Sequence, residues 1–231
     1  MIKSKLIVLL LSSFFLQGCS VKGVKTQKIE VSTRFEKEIQ AFEQQDKYGD
    51  FGKIDVLFVG SSSIRMWTTL SEDMQPFKVL NRGFGGATTA EVLQYYDRII
   101  KRHQPEIFVI YVGENDISEG INPVETVRLN TLLFNKIQQD FPTSKIIYIS
   151  MKPSIARWNL WADFQEGNVK IEELCRSNSN WHYIETADMM LNQDGTIRRD
   201  IFIEDGLHMN AKGYESWTKV VKDKIIEIKF K

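Results

Sequence analysis

Residues 56–63, "VLFVGSSS", decide how this chain folds. Val56, Leu57, Phe58 and Val59 are apolar without alternation, the pattern of a strand covered on both faces, as in a parallel sheet. Gly60 ends the run and three hydroxyls follow it. Comparable runs recur at Lys78-Val79-Leu80, at 107–112, at 146–149 and at 181–184. Helical patterning fills the gaps at 34–47, 89–103, 124–141, 161–175 and 210–228, with Pro105 and Pro142 just beyond two helix ends. Strands alternating with helices predict a three-layer α/β/α domain on a parallel sheet of about five strands. In open sheets of that kind, ligands gather at the carboxyl ends of the strands.

The first residues read separately. Lys3 and Lys5 precede an apolar stretch from Leu6 to Leu16, too short to span a bilayer and patterned as a secretion signal. Leu16-Gln17-Gly18-Cys19 resembles the lipobox of bacterial lipoproteins, in which the cysteine is acylated and becomes the first mature residue. The expected organisation is a signal peptide over 1–18, a lipidated Cys19 with a polar tether to 31, and a catalytic domain over 32–231. That places the protein outside the cytoplasm, in the cell envelope, held to a membrane through Cys19. Losing residues 1–18 removes two lysines and leaves 28 basic against 30 acidic side chains, with no basic block. Nucleic acid is therefore not expected as a partner. Two cysteines and three histidines show no metal-ligand spacing, and nothing calls for a metal or an organic cofactor.

The strand ends hold the chemistry. After the first comes Gly60-Ser61-Ser62-Ser63, after the second "NRGFGGATT" (81–89), after the third "YVGENDIS" (111–118), and before the last helix "EDGLHMNAKGY" (204–214). A serine nucleophile needs a base to take its Oγ proton. His103 sits at a helix end and reads as a cap or surface residue, and His182 alternates with aromatics in a strand. His208 alone has an acid three residues away, Asp205, within reach of its Nδ1. Which of Ser61, Ser62 and Ser63 is the nucleophile stays open on this reading.

The ordered set strand-Gly-x-Ser, Asn-x-Gly-x-Gly-Gly, Gly-x-Asn-Asp and Asp-x-x-His resembles the four blocks of the SGNH (GDSL) hydrolases, over residues 54 to about 225. The resemblance implies a flavodoxin-like sheet and esterase or lipase chemistry. It places Ser62 as nucleophile, Asp205 and His208 as acid and base, and Gly86 and Asn115 with the Ser62 amide as oxyanion donors. Two positions depart from the family's commonest pattern: Ser61 and Ala87 stand where aspartates are frequent. Asp116 is expected to hold its loop by accepting backbone N–H groups. The expected activity is hydrolysis of short acyl esters, acetyl first, on a small-molecule or glycan substrate. The alternatives are a lipase or lysophospholipase for longer chains, and a glycan-binding envelope lipoprotein on the same scaffold. Lys152, Arg157, Trp158 and Trp161, just after the fourth strand, either border the cleft, with Arg157, Trp158 and Trp161 as substrate contacts, or the tryptophans are core and the arginine sits in a structural ion pair.

Overall fold

Every residue of the run 56–60 is buried, and it forms β1 (Val56–Gly60), an inner strand of a five-stranded sheet in the computed structural model, which describes residues 33–230. The other strands are β2 (Val79–Gly83), β3 (Ile107–Tyr111), β4 (Lys145–Ile149) and β5 (Trp181–Ile184). All neighbours pair in parallel, in the order β2-β1-β3-β4-β5. The helices in chain order are α1 (Glu36–Tyr48), α2 (Ser62–Arg65), α3 (Leu70–Asp73), α4 (Thr89–Ile99), α5 (Glu114–Ser118), α6 (Pro123–Asp140), α7 (Trp161–Arg176) and α8 (Ala211–Phe230). Among the described residues no helix is long and apolar enough to cross a membrane.

Alternate residues of each strand feed two cores, as a parallel sheet covered on both faces requires. Leu57, Val59, Phe108 and Ile110 face a layer that includes Ile39, Val92, Leu133 and Phe164, from α1, α4, α6 and α7. Val56, Phe58, Ile107 and Val109 face a second layer, in which Trp67 and Leu70 share one cluster with Tyr214, Trp217 and Val221 of α8. The helix starts follow local chemistry. Thr88 caps α4 and pairs with Glu91 in a capping box, and Asn122 caps α6 with Pro123 at its first position.

The register sets up the site. Gly60 at the end of β1 lies level with Gly83 of β2 and Tyr111 of β3, so three strand ends open onto one rim. The strand order reverses between β1 and β3, where doubly wound sheets place their ligands. Gly60 is required there. A Cβ on it would lie 1.9 Å from the Tyr111 carbonyl oxygen, so no side chain fits between the two strand ends.

The structure differs from the expectation at His103. Instead of capping a helix at the surface it is buried, 3.4 Å from the Asp46 carboxylate and close to the buried Arg82, which also pairs with Asp46. Burial holds the His103 ring below its ordinary pKa, with Asp46 opposing. The one-turn helices α2, α3 and α5 went unpredicted, because four or five residues are too few to show a 3.6-residue period.

Candidate active site

The three serines after β1 are sorted by their surroundings. Ser61 and Ser63 are each 3% exposed, while Ser62 is half-buried with its hydroxyl on the rim. Ser62 is the first residue of α2, so its amide has no place in the helix's own hydrogen-bond ladder. The Ser62 Oγ lies 2.8 Å from Nε2 of His208, and Nδ1 of the same ring lies 2.6 Å from Oδ2 of Asp205. The other Asp205 oxygen accepts the amides of Leu207 at 2.8 Å and His208 at 2.9 Å. That double acceptance fixes the loop conformation that puts the ring against Ser62. Partial burial would push the Asp205 carboxyl up, but the bonds from the His208 ring and the two amides outweigh it and hold the carboxyl at about 2. The histidine therefore faces a permanent anion on one nitrogen and the hydroxyl on the other.

The second rim segment brings Gly86. A tight turn closes with the Ala87 amide on the Phe84 carbonyl, and Gly86 within it takes φ +77°, in the left-handed region. The Arg34 guanidinium grips the Gly86 carbonyl from outside at 2.5 Å, and also pairs with Glu91 and Glu119.

The third segment brings Asn115, 7% exposed, in α5 at the end of β3. Its Nδ2 donates one hydrogen to the Ala87 carbonyl at 2.9 Å, which leaves the second for another acceptor. Its Oδ1 accepts from Arg157 at 2.9 Å. Asp116 lies fully buried and accepts the Thr89 amide on both oxygens, at 3.1 and 2.9 Å, tying the Gly86 segment to α5. Its environment is the reverse of that around Asp205. Burial dominates, the bonds from Thr89 and from its own amide only partly offset it, and the carboxyl is pushed up to about 6.

Arg157 turns inward rather than toward solvent, donating to Glu114 at 3.0 Å as well as to Asn115. Trp158 is 44% exposed, beside Ile155 on an open groove of about 810 Å³ that also reaches Asn192, Thr196, Arg199 and Asp200. The Ala156 amide bonds the Gly206 carbonyl at 3.0 Å, so this groove adjoins the Asp205–His208 loop. Trp161 is partly buried against the core below α7. Reasoning from sequence missed Glu114, which is buried with Tyr111 and Lys152 beside it. The available signal was a Glu and a Lys set hard against the ends of β3 and β4, where apolar runs stop. Among the described residues no group of three or more His, Cys, Asp or Glu side chains could hold a metal ion. Cys19 and the lipobox lie outside the described residues.

Residues 57–215 match the family model of the GDSL-like lipase/acylhydrolase family. A multidomain esterase of Ruminococcus flavefaciens is 26% identical over 121 residues, 52% of this chain. The match spans only 15% of that relative's length. Several solved structures share the fold. A GDSL-like lipase from Bacteroides thetaiotaomicron superposes with a TM-score of 0.67 at 20% identity, covering 85% of this chain and 97% of that one. A carbohydrate esterase family 3 protein from Talaromyces cellulolyticus gives 0.61 at 18% identity, covering 76% and 98%. An acetylxylan esterase from Geobacillus stearothermophilus gives 0.62 at 13% identity, covering 75% and 95%.

Proposed function

The chain belongs to the GDSL-like lipase/acylhydrolase family, and from that premise we propose a serine esterase that removes short acyl groups, acetyl foremost, from a polar or glycan alcohol. The observation that carries the reading is the unbroken chain Ser62 Oγ, His208 Nε2, His208 Nδ1, Asp205 Oδ2, at 2.8 and 2.6 Å. His208 takes the Oγ proton as Ser62 attacks the ester carbonyl, and Asp205 stabilises the imidazolium that forms. The carbonyl oxygen becomes an oxyanion facing the amides of Ser62 and Gly86 and the spare Nδ2 hydrogen of Asn115. Collapse expels the alcohol, which takes the proton from His208 and leaves an acyl-Ser62. Water, deprotonated by His208, then attacks that ester, releases the acid and returns the proton to Ser62.

The short-chain preference follows from what borders the site. One exposed indole beside Asn, Thr, Arg and Asp side chains suits a polar alcohol. The Talaromyces and Geobacillus structures, named as a carbohydrate esterase and an acetylxylan esterase, point the same way. Each methylene that fits an apolar pocket adds about 0.8 kcal/mol, so an enzyme with a long acyl groove improves steadily with chain length. Here kcat/KM on p-nitrophenyl esters is expected to peak at acetyl to butyryl. A maximum at octanoyl or beyond would replace this reading with the lipase one. Ser62→Ala is expected to lose about three decades in kcat, and Ser61→Ala and Ser63→Ala far less. No turnover of any of these esters by the wild-type protein would leave the glycan-binding reading in place.

We further propose that Cys19 is acylated and anchors the protein in the cell envelope, as the lipobox-like Leu16–Cys19 indicates.

A further inference from the structure

Four charged or polar side chains behind the rim form one buried network that the catalytic steps above do not use. Glu114 is its centre, 4% exposed. Its Oε1 accepts from Arg157 at 3.0 Å, and its Oε2 faces Lys152 Nζ at 3.4 Å and the Tyr111 hydroxyl. Each cation has a second contact, and each of those lies in a different part of the site. Lys152, 1% exposed, donates to the Leu207 carbonyl at 2.9 Å, in the loop between Asp205 and His208. Arg157 donates to Asn115 Oδ1 at 2.9 Å.

From this geometry we propose that Arg157 is a positioning residue for ester hydrolysis: anchored on Glu114, it fixes and polarises the Asn115 carboxamide so that its free N–H meets the oxyanion. The proposal rests on the esterase reading above. A guanidinium has five donors and no acceptor, so the Asn115 atom facing it has to be the carbonyl oxygen. The Ala87 carbonyl on the other side accepts only, so the atom facing it has to be the nitrogen. Together they exclude the flipped amide, which would turn an oxygen lone pair toward the developing negative charge. A cation on the carbonyl oxygen also withdraws density from the amide and strengthens its N–H as a donor. Lysine cannot replace this arrangement, because a single ammonium lacks the planar fork that spans Glu114 and Asn115 at once. Burial would raise the Glu114 carboxyl, but the flanking cations and its hydrogen bonds outweigh it and keep it below its ordinary range, ionised. The anchor therefore persists at neutral pH.

This role is distinguishable from a substrate contact and from a merely structural ion pair. The full-length protein would be compared on p-nitrophenyl acetate with Arg157→Gln, Arg157→Lys, Asn115→Ala and the double variant Asn115→Ala/Arg157→Gln. Asn115→Ala is expected to lose about 100-fold or more in kcat, the scale for one oxyanion donor. Arg157→Gln is expected to lose roughly 10- to 100-fold in kcat, with KM within about twofold of wild type. The double variant is expected to be no slower than Asn115→Ala, since Arg157 acts through that amide. Arg157→Lys is expected to fall at least about fivefold, and it serves as the test should the Gln variant fail to fold. Losses that multiply in the double variant, a raised KM at constant kcat, or full activity in Arg157→Lys would each overturn the proposal. Ser62→Ala separates the two levels. Activity surviving in it would remove the esterase reading and this one with it, whereas a dead Ser62→Ala beside multiplicative losses would remove only the role of Arg157.

Discussion

Replacing Asp116 by asparagine should stabilise the protein at neutral pH and leave it unhelped in acid. The carboxyl is buried beneath the rim, and burial raises it from an ordinary 3.8 to about 6. Between those values the folded protein holds a proton that the unfolded chain has released. Stability contributed by the neutral form is therefore full below about pH 4 and is lost as pH rises through about 6. At 1.36 kcal/mol per pH unit the ionised carboxylate costs the fold about 3 kcal/mol at pH 7. The carboxamide in Asp116→Asn keeps one oxygen to accept the Thr89 amide and does not titrate, so the cost disappears with the substitution.

The assay is urea unfolding of both proteins from pH 4 to 7.5. All other titrating groups are shared, so the difference between the two curves isolates this one. That difference should move in favour of Asp116→Asn by about 2.4 kcal/mol between pH 4 and 7, most of the full cost. With a slope near 2 kcal/mol/M, the gap between midpoints should change by about 1.2 M urea. A difference that is flat over this range, or that moves the other way, would show that hydrogen bonding to Thr89 outweighs burial and that the carboxylate is at ease in the fold. The position explains why such a cost would persist. Asp116 ties α5 to the Gly86 segment, so both proposed oxyanion elements depend on its contacts.

Gly60→Ala should cost about 3 kcal/mol or more, or prevent folding, since its Cβ would lie 1.9 Å from the Tyr111 carbonyl oxygen; a thermal midpoint within a few degrees of wild type would contradict the strand spacing. Asp205, held at about 2, stays ionised as pH falls to about 3, so its own titration should remove no activity above that range. Asp205→Asn should lose two to four decades in kcat at pH 7 with little change in KM, read from steady-state kinetics. Mass spectrometry of the native protein should find Cys19 as an acylated first residue, and Cys19→Ser should not be lipidated. A mature chain starting elsewhere, free in the medium, would refute the anchor.

How much of this was legible depended on length scale. The inner strands β1, β3 and β4 were readable because burial on both faces removes alternation, and the runs at 56–59 and 146–149 have no other simple explanation. The edge strands β2 and β5 are only partly buried and left shorter signals. The long helices were readable from their period, to within a few residues at either end. The identity of the proposed nucleophile was not readable from residues alone. Ser61, Ser62 and Ser63 differ only in direction, and α2, the one-turn helix that sets those directions, is too short to announce itself. Arg157 illustrates a different limit. An arginine beside two tryptophans reads equally well as a substrate contact or as half of an ion pair, and its partner Glu114 is 43 residues away.

Ser61 and Ala87, the two departures from the family's commonest pattern, become intelligible through the backbone. The Ser61 amide donates to the Tyr111 carbonyl, and its own carbonyl accepts the amides of Ile64 and Arg65, which starts α2 and aims Ser62. The Ala87 carbonyl accepts one hydrogen of Asn115, which fixes that amide from the side opposite Arg157. The bonds that shape the rim at both positions are made by main-chain atoms, and no side chain is needed to make them. Ala87 is fully buried, where an unpartnered carboxylate would have to be desolvated. An alanine there keeps the carbonyl contact and avoids that cost. A serine before Ser62 likewise leaves intact the hydrogen bonds that begin the helix. Loss of the two aspartates is therefore compatible with a complete set of proposed catalytic groups, because those groups are held from Asp205, Arg157 and the main chain.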